Sequence, residues 1–223
     1  MGYGIKVDIS GSRACFTRPE MKAERISYDV MTPSAARGIL ESVYWKPAIR
    51  WIIDGICVMN PIRFDTFRRN EVGIKGSYSL ARTVERTGEG ILYIDATKER
   101  QQRAMTYLKD VRYVVSAHFE LTDEAGSGDT PEKHYNIMLR RLRNGQCFNQ
   151  PYLGCREFAV GSIGLVEDDA DLPRSAFAVV PEMDFGYMLY DIDFAHDMEP
   201  MFFRAIMRGG WIDVAKAREE VVR

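Results

Sequence analysis

The chain has 223 residues, 46% of them hydrophobic and 28% charged, and this ordinary globular composition argues against wholesale disorder. Its length allows one large domain or one domain with a small companion, and no apolar run reaches the roughly 18 residues of a membrane span. Because the segment Met1–Gly11 is too polar for a secretory signal, we expect a cytoplasmic protein without a membrane partner.

The formal net charge of −2 hides an asymmetry along the chain. Residues 1–156 contain 24 basic and 18 acidic residues, a net charge of +6, whereas residues 157–223 contain 6 and 14, a net charge of −8. A basic body favours an anionic partner such as nucleic acid. The alternative is a contact with another protein, since charge imbalance between domains is common.

The cysteines stand far apart in the sequence, at Cys15, Cys57, Cys147 and Cys155, and none forms a C-x-x-C pair. This spacing argues against a zinc ribbon or a redox dithiol and favours reduced, mostly buried thiols. We therefore expect neither a metal nor another cofactor.

The first predicted element is a strand within residues 4–16, because Gly4–Ser10 alternates between apolar and polar residues. A basic segment overlaps and follows it. We assign part of an RNA-binding surface to four basic residues of this segment, namely Arg13, Arg18, Lys22 and Arg25.

A helix is predicted next, with Thr32 as its cap and Pro33 at its first position. Its apolar face is formed by Ala36, Ile39, Leu40 and Val43. Pro47 ends the helix, because the residue before a proline avoids the helical conformation. We therefore expect Tyr44 in its last turn.

Residues 48–59 are rich in branched and aromatic side chains and predict a second strand. The segment 61–106 combines arginines with several glycines, which indicates a mobile basic hairpin or loop insertion. Aromatic residues among its cations favour single-stranded nucleic acid, because aromatic rings stack on unpaired bases. The remaining predicted RNA-binding residues lie here: Arg68, Arg69, Asn70 and Lys75.

A third strand is predicted over Tyr107–Leu121, and the glycine-containing loop 123–129 follows it. A second helix begins with Thr130 as cap and Pro131, and it ends at Gly145. Lys133 and His134 therefore lie in its first turn. Beyond residue 156 we expect short strands, including Phe177–Val180 and Met188–Phe194.

With a further strand expected near residues 157–166, the order of these elements is βαββαβ, which is the order of the ferredoxin-like fold. Right-handed crossovers in that fold bring the end of the first helix and the start of the second helix to one edge of the sheet. Tyr44, Lys133 and His134 are thereby expected to meet, although about 90 residues separate them in sequence.

These three residues have the chemistry needed to cut RNA without a metal. A helix N-terminus and an ammonium group attract a phosphate, an imidazole transfers protons near neutral pH, and a phenol supplies a hydroxyl. The alternative is that Lys133 and His134 are merely solvated and Tyr44 lies at the rim of the core. The other two histidines are weaker candidates. His118 lies on the polar face of a strand, where a structural role is favoured. The acidic residues around His196 could indicate a metal site, but a solvated acidic surface explains them better.

Specific segments add to this reading, above all Tyr44-Trp-Lys-Pro47 together with Lys133-His-Tyr135. With these segments the chain resembles the Cas-five proteins of type I-C (Dvulg subtype) CRISPR systems, densely over residues 4–160 and loosely beyond. Further similar segments are Phe16–Glu20, Ser27–Val43, Arg68–Val72, Tyr107–Val111, Ala117–Glu120 and Tyr152–Glu157.

The resemblance implies an α+β protein with a ferredoxin-like (RRM-like, RAMP superfamily) domain and a small antiparallel β-rich domain. We place the first at residues 1–165, with an insertion at about 61–106, and the second, acidic domain at residues 166–223. The family's catalytic tyrosine corresponds to Tyr44, and its lysine–histidine pair to Lys133 and His134.

The resemblance also implies a metal-independent endoribonuclease that cuts CRISPR precursor RNA within the repeat, near the base of its hairpin, by attack of the 2′-OH. Such a protein stays bound to the 5′ handle of the guide RNA, together with other subunits of the type I-C interference complex. The acidic C-terminal part suggests a contact with one of those subunits. The alternatives are a noncatalytic guide-RNA scaffold and a general binder of duplex nucleic acid, including duplex DNA.

Overall fold

The structure is a computed structural model that describes residues 3–21, 23–194 and 196–222. Its strands are β1 (Ile5–Ala14), β2 (Arg25–Ile26), β3 (Ile49–Val58), β4 (Phe64–Val72), β5 (Arg100–Leu121), β6 (Ser162–Leu165), β7 (Met183–Asp193), β8 (Glu199–Arg208) and β9 (Trp211–Asp213). Its α-helices are α1 (Pro33–Val43), α2 (Tyr78–Thr87), α3 (Pro131–Arg143) and α4 (Val214–Ala217). Short 3₁₀ helices span Asp169–Asp171 and Arg218–Glu220.

One large sheet organises the molecule. Its strands follow the order β6-β1-β5-β3-β9-β8-β7, and β2 and β4 also pair with β5. The pairings of β1 with β5 and β6, and of β3 with β5 and β9, are all antiparallel. The chain is therefore a mixed α/β protein with a large antiparallel sheet.

The chain divides into two compact units. Unit 1 comprises Met1–Asp65 with Thr106–Arg223, and its sheet includes β7, β8 and β9 through the β3–β9 pairing. Unit 2 comprises Thr66–Met105 and contains most of β4, the whole of α2 and the start of β5. A separate C-terminal domain from residue 166 stays a prediction.

The core of unit 1 follows the predicted periodicities. Helix α1 packs against β3 and β7, and helix α3 against β6 and α1. Each fully buried aliphatic side chain stabilises the fold by about 1.5–3 kcal/mol. Buried side chains of these elements and of β1 and β5 include Val7, Ile9, Ile39, Leu40, Val43, Trp51, Val115, Ala117, Phe119, Met138 and Leu142.

The predicted helix starts are confirmed. The hydroxyl of Thr32 accepts a hydrogen bond from the Ala35 amide at 3.3 Å, and that of Thr130 accepts one from the Lys133 amide at the same distance. Each cap satisfies a backbone N–H that the first helical turn leaves unpaired. The end of α1 differs by one residue, since Tyr44 is the extended C-cap after Val43 rather than part of the last turn.

Two expectations about secondary structure need correction. The sequence predicts a mobile hairpin or loop at 61–106, but this segment also contains α2, which Ser77 caps and Gly88 ends with a φ of 70°. The predicted strand at Phe177–Val180 is wrong. Its amides bond locally, Ala178 to the carbonyl of Ser175 at 3.1 Å and Val180 to that of Phe177 at 2.9 Å, so a turn satisfies them.

Among the described residues, no helix combines the length and the apolar character that a membrane crossing requires.

Candidate active site

Tyr44 and His134 meet directly, although 90 residues separate them. The Tyr44 hydroxyl lies 2.8 Å from His134 Nδ1. The Tyr44 amide donates to the Leu40 carbonyl at 2.9 Å, and its carbonyl accepts from Trp51 Nε1 at 2.8 Å, which fixes the backbone from two sides. The chain thus holds the phenol at the end of α1 against the first turn of α3.

Both side chains are buried. His134 is 1% exposed and Tyr44 2%, and the imidazole ring also contacts Phe119 edge-on, with 6.2 Å between the ring centres. Water therefore has little access to the hydrogen bond between them, and a buried polar pair of this kind is rigid because each partner satisfies the other.

Burial sets the protonation states of the pair. It lowers the pKa of the His134 imidazole; Asp129 opposes this change and Lys133 adds to it. Burial also raises the pKa of the Tyr44 phenol, against the influence of Arg141. Near neutral pH the imidazole is therefore neutral and the phenol protonated, so the Tyr44 O–H donates to Nδ1 and the imidazole proton resides on Nε2.

Lys133 adjoins this pair but points toward the loop that precedes α3. Its Nζ donates to the Gly128 carbonyl at 2.8 Å and lies 3.3 Å from Asp129 Oδ1. The same carboxylate oxygen lies 3.2 Å from His134 Nε2, without the alignment of a hydrogen bond. Asp129 therefore neutralises the lysine and faces the open nitrogen of the histidine.

Two residues of this site were missed by the sequence analysis. Arg141 Nη1 donates to the Val43 carbonyl at 2.5 Å, and its guanidinium lies 5.1 Å from the centre of the Tyr44 ring. Arg141 follows His134 by seven positions, which places both on one helix face, so the spacing contained the signal. Asp129 lies just before the residue that caps α3. The signal for it in the sequence was its spacing of four residues from Lys133, which is typical of an ion pair.

The predicted RNA-binding residues of unit 1 that the structure describes all have protein partners. Arg13 lies over the Tyr107 ring at 5.5 Å. Arg18 pairs with Asp29 at 3.2 Å. Lys22 lies outside the described residues.

Arg25 contacts two residues near position 156. Its Nη1 lies 3.2 Å from a Glu157 carboxylate oxygen and 3.6 Å from the Cys155 sulfur. A guanidinium group has five N–H donors, so Arg25 can bind a further anion while it contacts Glu157.

In unit 2, Arg68, Arg69 and Asn70 lie on β4, and Lys75 follows it. Arg68, Asn70 and Lys75 are exposed, whereas the side chain of Arg69 is only 13% exposed and lies 2.6 Å from Glu71. Successive strand residues point to opposite faces, so Arg68 and Asn70 share the open face of this strand.

The other two histidines are engaged elsewhere. His118 Nδ1 lies 2.9 Å from both carboxylate oxygens of Asp54, and His196 Nδ1 lies 2.9 Å from Asp193. Within residues 3–21, 23–194 and 196–222, no group of three or more His, Cys, Asp or Glu side chains is placed to hold a metal ion.

Known proteins resemble this chain over its full length. The Cas5d family model, described as "CRISPR-associated protein (Cas_Cas5)", matches residues 4–215. A "CRISPR pre-crRNA endoribonuclease Cas5d" of Mannheimia succiniciproducens is 48% identical over 225 residues, covering all of both chains. The protein of the same name from Thermus thermophilus is 35% identical, covering 98% of this chain and 95% of its own.

Two solved structures share the fold. A crystal structure of a CRISPR-associated protein has a TM-score of 0.69, with 25% identity over 94% of this chain and 90% of its own. A functionally uncharacterized protein from Streptococcus mutans has a TM-score of 0.64, with the same identity and coverage.

Proposed function

The chain belongs to the Cas5d family of CRISPR-associated proteins, and from this premise we propose that it is an endoribonuclease that cleaves CRISPR precursor RNA within the repeat, near the base of its hairpin. The observation that carries the proposal is the buried contact between Tyr44 and His134, beside Lys133, at the start of α3.

The proposed reaction is an attack of the ribose 2′-oxygen on the adjacent phosphorus. The new O–P bond forms as the bond to the 5′-oxygen breaks, which leaves a 2′,3′-cyclic phosphate and a 5′-hydroxyl. The 2′-OH proton must be removed, and the leaving oxygen must receive one. DNA lacks the 2′-OH and is not cleaved in this way.

The three side chains fit these requirements. Neutral His134 has an accepting nitrogen that faces Tyr44 and a protonated nitrogen on its other side. The pair is thereby suited to take the 2′-OH proton through the phenol and to donate a proton from Nε2 to the leaving oxygen. Lys133 supplies positive charge for the phosphorane, where such stabilisation is the largest catalytic contribution in many enzymes. No step requires a metal or another cofactor.

The finer fold assignment is part of the proposal. The neighbouring strands β6-β1-β5-β3 are antiparallel, and α1 and α3 each connect two of them. This arrangement supports a ferredoxin-like, RRM-like domain of the RAMP superfamily at residues 1–165. Residues 166–223 are proposed as the small acidic β-rich domain.

We also assign RNA contacts and partners. The proposed RNA-binding residues are Arg13, Arg18, Lys22, Arg25, Arg68, Arg69, Asn70 and Lys75. After cleavage the protein remains on the 5′ handle of the guide RNA with other subunits of the type I-C interference complex. The acidic C-terminal part is proposed to contact one of those subunits rather than RNA.

The decisive experiment incubates the full chain with cognate repeat RNA and a chelator. We expect one cut, a 2′,3′-cyclic phosphate end, and no cut in RNA with a 2′-deoxy substitution at the scissile position. Tyr44→Phe, Lys133→Ala and His134→Ala should each slow cleavage by about 10²–10⁴-fold in single turnover, because each removes one proton-transfer or charge-stabilising group.

Lys216→Ala and His196→Ala are the matched controls, since both residues are exposed. They should cleave at the wild-type rate. Absence of any product, or a triple variant of Tyr44, Lys133 and His134 that still cleaves, would defeat the proposal. Tight binding without product would instead identify a noncatalytic scaffold, and sequence-independent binding of duplex DNA a general nucleic-acid binder.

A further inference from the structure

A single carboxylate oxygen touches both groups that the proposed reaction assigns to the phosphate. Asp129 Oδ1 lies 3.3 Å from Lys133 Nζ and 3.2 Å from His134 Nε2. An anion of the substrate needs the same two neighbours, an ammonium group for its charge and the Nε2 proton for its leaving oxygen. The carboxylate therefore stands at the place where chemistry requires a phosphate.

The contact with His134 is poorly formed. Although the imidazole is 1% exposed, its Nε2 has no aligned hydrogen-bond partner. A buried N–H whose nearest acceptor is misaligned is incompletely satisfied, so a ligand that offers a well-directed oxygen is favoured there. Asp129 thus faces Nε2 without satisfying it.

The segment that carries Asp129 is held mainly by its own contacts. Asp129 Oδ2 accepts from the Gly126 amide at 3.1 Å, and the Asp129 amide donates to the Gly126 carbonyl at 2.9 Å. The loop is anchored at its start, where the Thr122 amide donates to the Ala48 carbonyl at 3.0 Å. Between these points it is mostly exposed and contains Gly126 and Gly128, so its tip can shift once Lys133 releases the Gly128 carbonyl, to which Nζ donates at 2.8 Å.

Resting on the proposed function, we propose that Asp129 occupies the site of the scissile phosphate in the RNA-free protein and must leave before RNA can bind productively. Two anions that contact the same ammonium group repel each other, so the charge of Asp129 as well as its position opposes RNA binding. The Gly126 amide and Lys133 hold the pKa of Asp129 below its ordinary value, so it competes as an anion throughout the neutral range. Asp129 is a residue that controls access, whereas Lys133 and His134 act on the phosphate itself.

The test is Asp129→Asn in the full chain, because this substitution keeps the shape and removes the charge. Binding is measured with repeat RNA that has a 2′-deoxy substitution at the scissile position, and cleavage with all-ribose RNA. We expect Kd and KM to fall about threefold to tenfold, the range of a partly exposed charge contact, with kcat retained.

Asp123→Asn is the matched control. Asp123 is an exposed acid of the same loop, so its substitution changes the net charge equally without touching the site. It should leave Kd and KM at wild-type values. Asp129→Ala is the second variant, and it should also lower Kd.

Other results overturn the inference. An unchanged Kd, or the same decrease in Asp123→Asn, means that Asp129 does not compete with RNA. A fall in kcat without a fall in KM means that Asp129 orients His134 instead. Failure of the wild-type chain to cleave repeat RNA would refute the proposed function, while the binding comparison would still decide the role of Asp129.

Discussion

The Tyr44–His134 pair and helix α2 depend on the protein core to opposite degrees. The pair is at most 2% exposed and lies where capped helices meet the sheet, whereas none of the ten described residues of α2 is buried. Unit 2 also exposes large apolar side chains, with Ile91 at 75% and Tyr93 at 71%. The pair takes its properties from the core, because burial sets both of its pKa values, whereas unit 2 offers side chains to solvent that contribute little to the chain's own stability.

The difference between the two regions in their contribution to stability is tested by truncating one large side chain in each. Trp51→Ala should lower the free energy of unfolding by about 3–5 kcal/mol, because the indole is 1% exposed and leaves a cavity in the core. Ile91→Ala should change it by less than about 0.5 kcal/mol, since exposed side chains lose little. Urea unfolding of both variants measures the two values. A large loss in Ile91→Ala would show that unit 2 has a core of its own.

A second prediction concerns pH. Burial lowers the pKa of His134 in the folded chain below its ordinary value of about 6.5, so the unfolded chain binds more protons as the pH falls through this range. The free energy of unfolding should therefore decrease as the pH falls from about 6.5 to the lower pKa of the folded state. At pH values above this window it should stay constant. Unfolding curves of the wild type and His134→Gln across this window measure the effect. If both have the same pH dependence, His134 does not titrate as its burial requires.

The smallest expected effect lies in unit 2. Arg68→Ala should weaken repeat-RNA binding by a few fold and reduce the slope of log K against log salt by about 1, without changing kcat, because an exposed arginine supplies one phosphate contact. Salt-dependent binding titrations and single-turnover cleavage separate the two effects. Glu85→Ala, another exposed residue of unit 2, is the control of opposite charge and should not weaken binding. A fall in kcat would place Arg68 in the chemistry instead.

Local signals in the sequence were sufficient for much of unit 1. Thr32 and Thr130 predicted both helix starts, because a hydroxyl before a proline satisfies free amides whatever surrounds it. The chain order also predicted that Tyr44 and His134 would approach each other, since crossover handedness restricts where helix ends lie. Their contact distance and burial depend on packing that no local pattern encodes.

Other features depend on long-range contacts and were missed. Helix α2 was missed although Leu80, Ala81 and Val84 recur at helical spacing, because the glycines on both sides of it favoured a loop. The apolar run at Phe177–Val180 looked like a strand, but nothing local shows that its amides bond within a turn. Asp129 was assigned to a flexible loop, because its role depends on where His134 lies in space.

The bond from the Trp51 indole to the Tyr44 carbonyl has a consequence for protein engineering. The position of Tyr44 is fixed by Trp51, a residue in the protein core, so changes in peripheral segments will not move the phenol. Transplanting the proposed catalytic centre to another scaffold therefore requires the strand that bears the indole as well as the two helix termini. A scaffold that supplies only the helix ends would present the right functional groups in the wrong alignment.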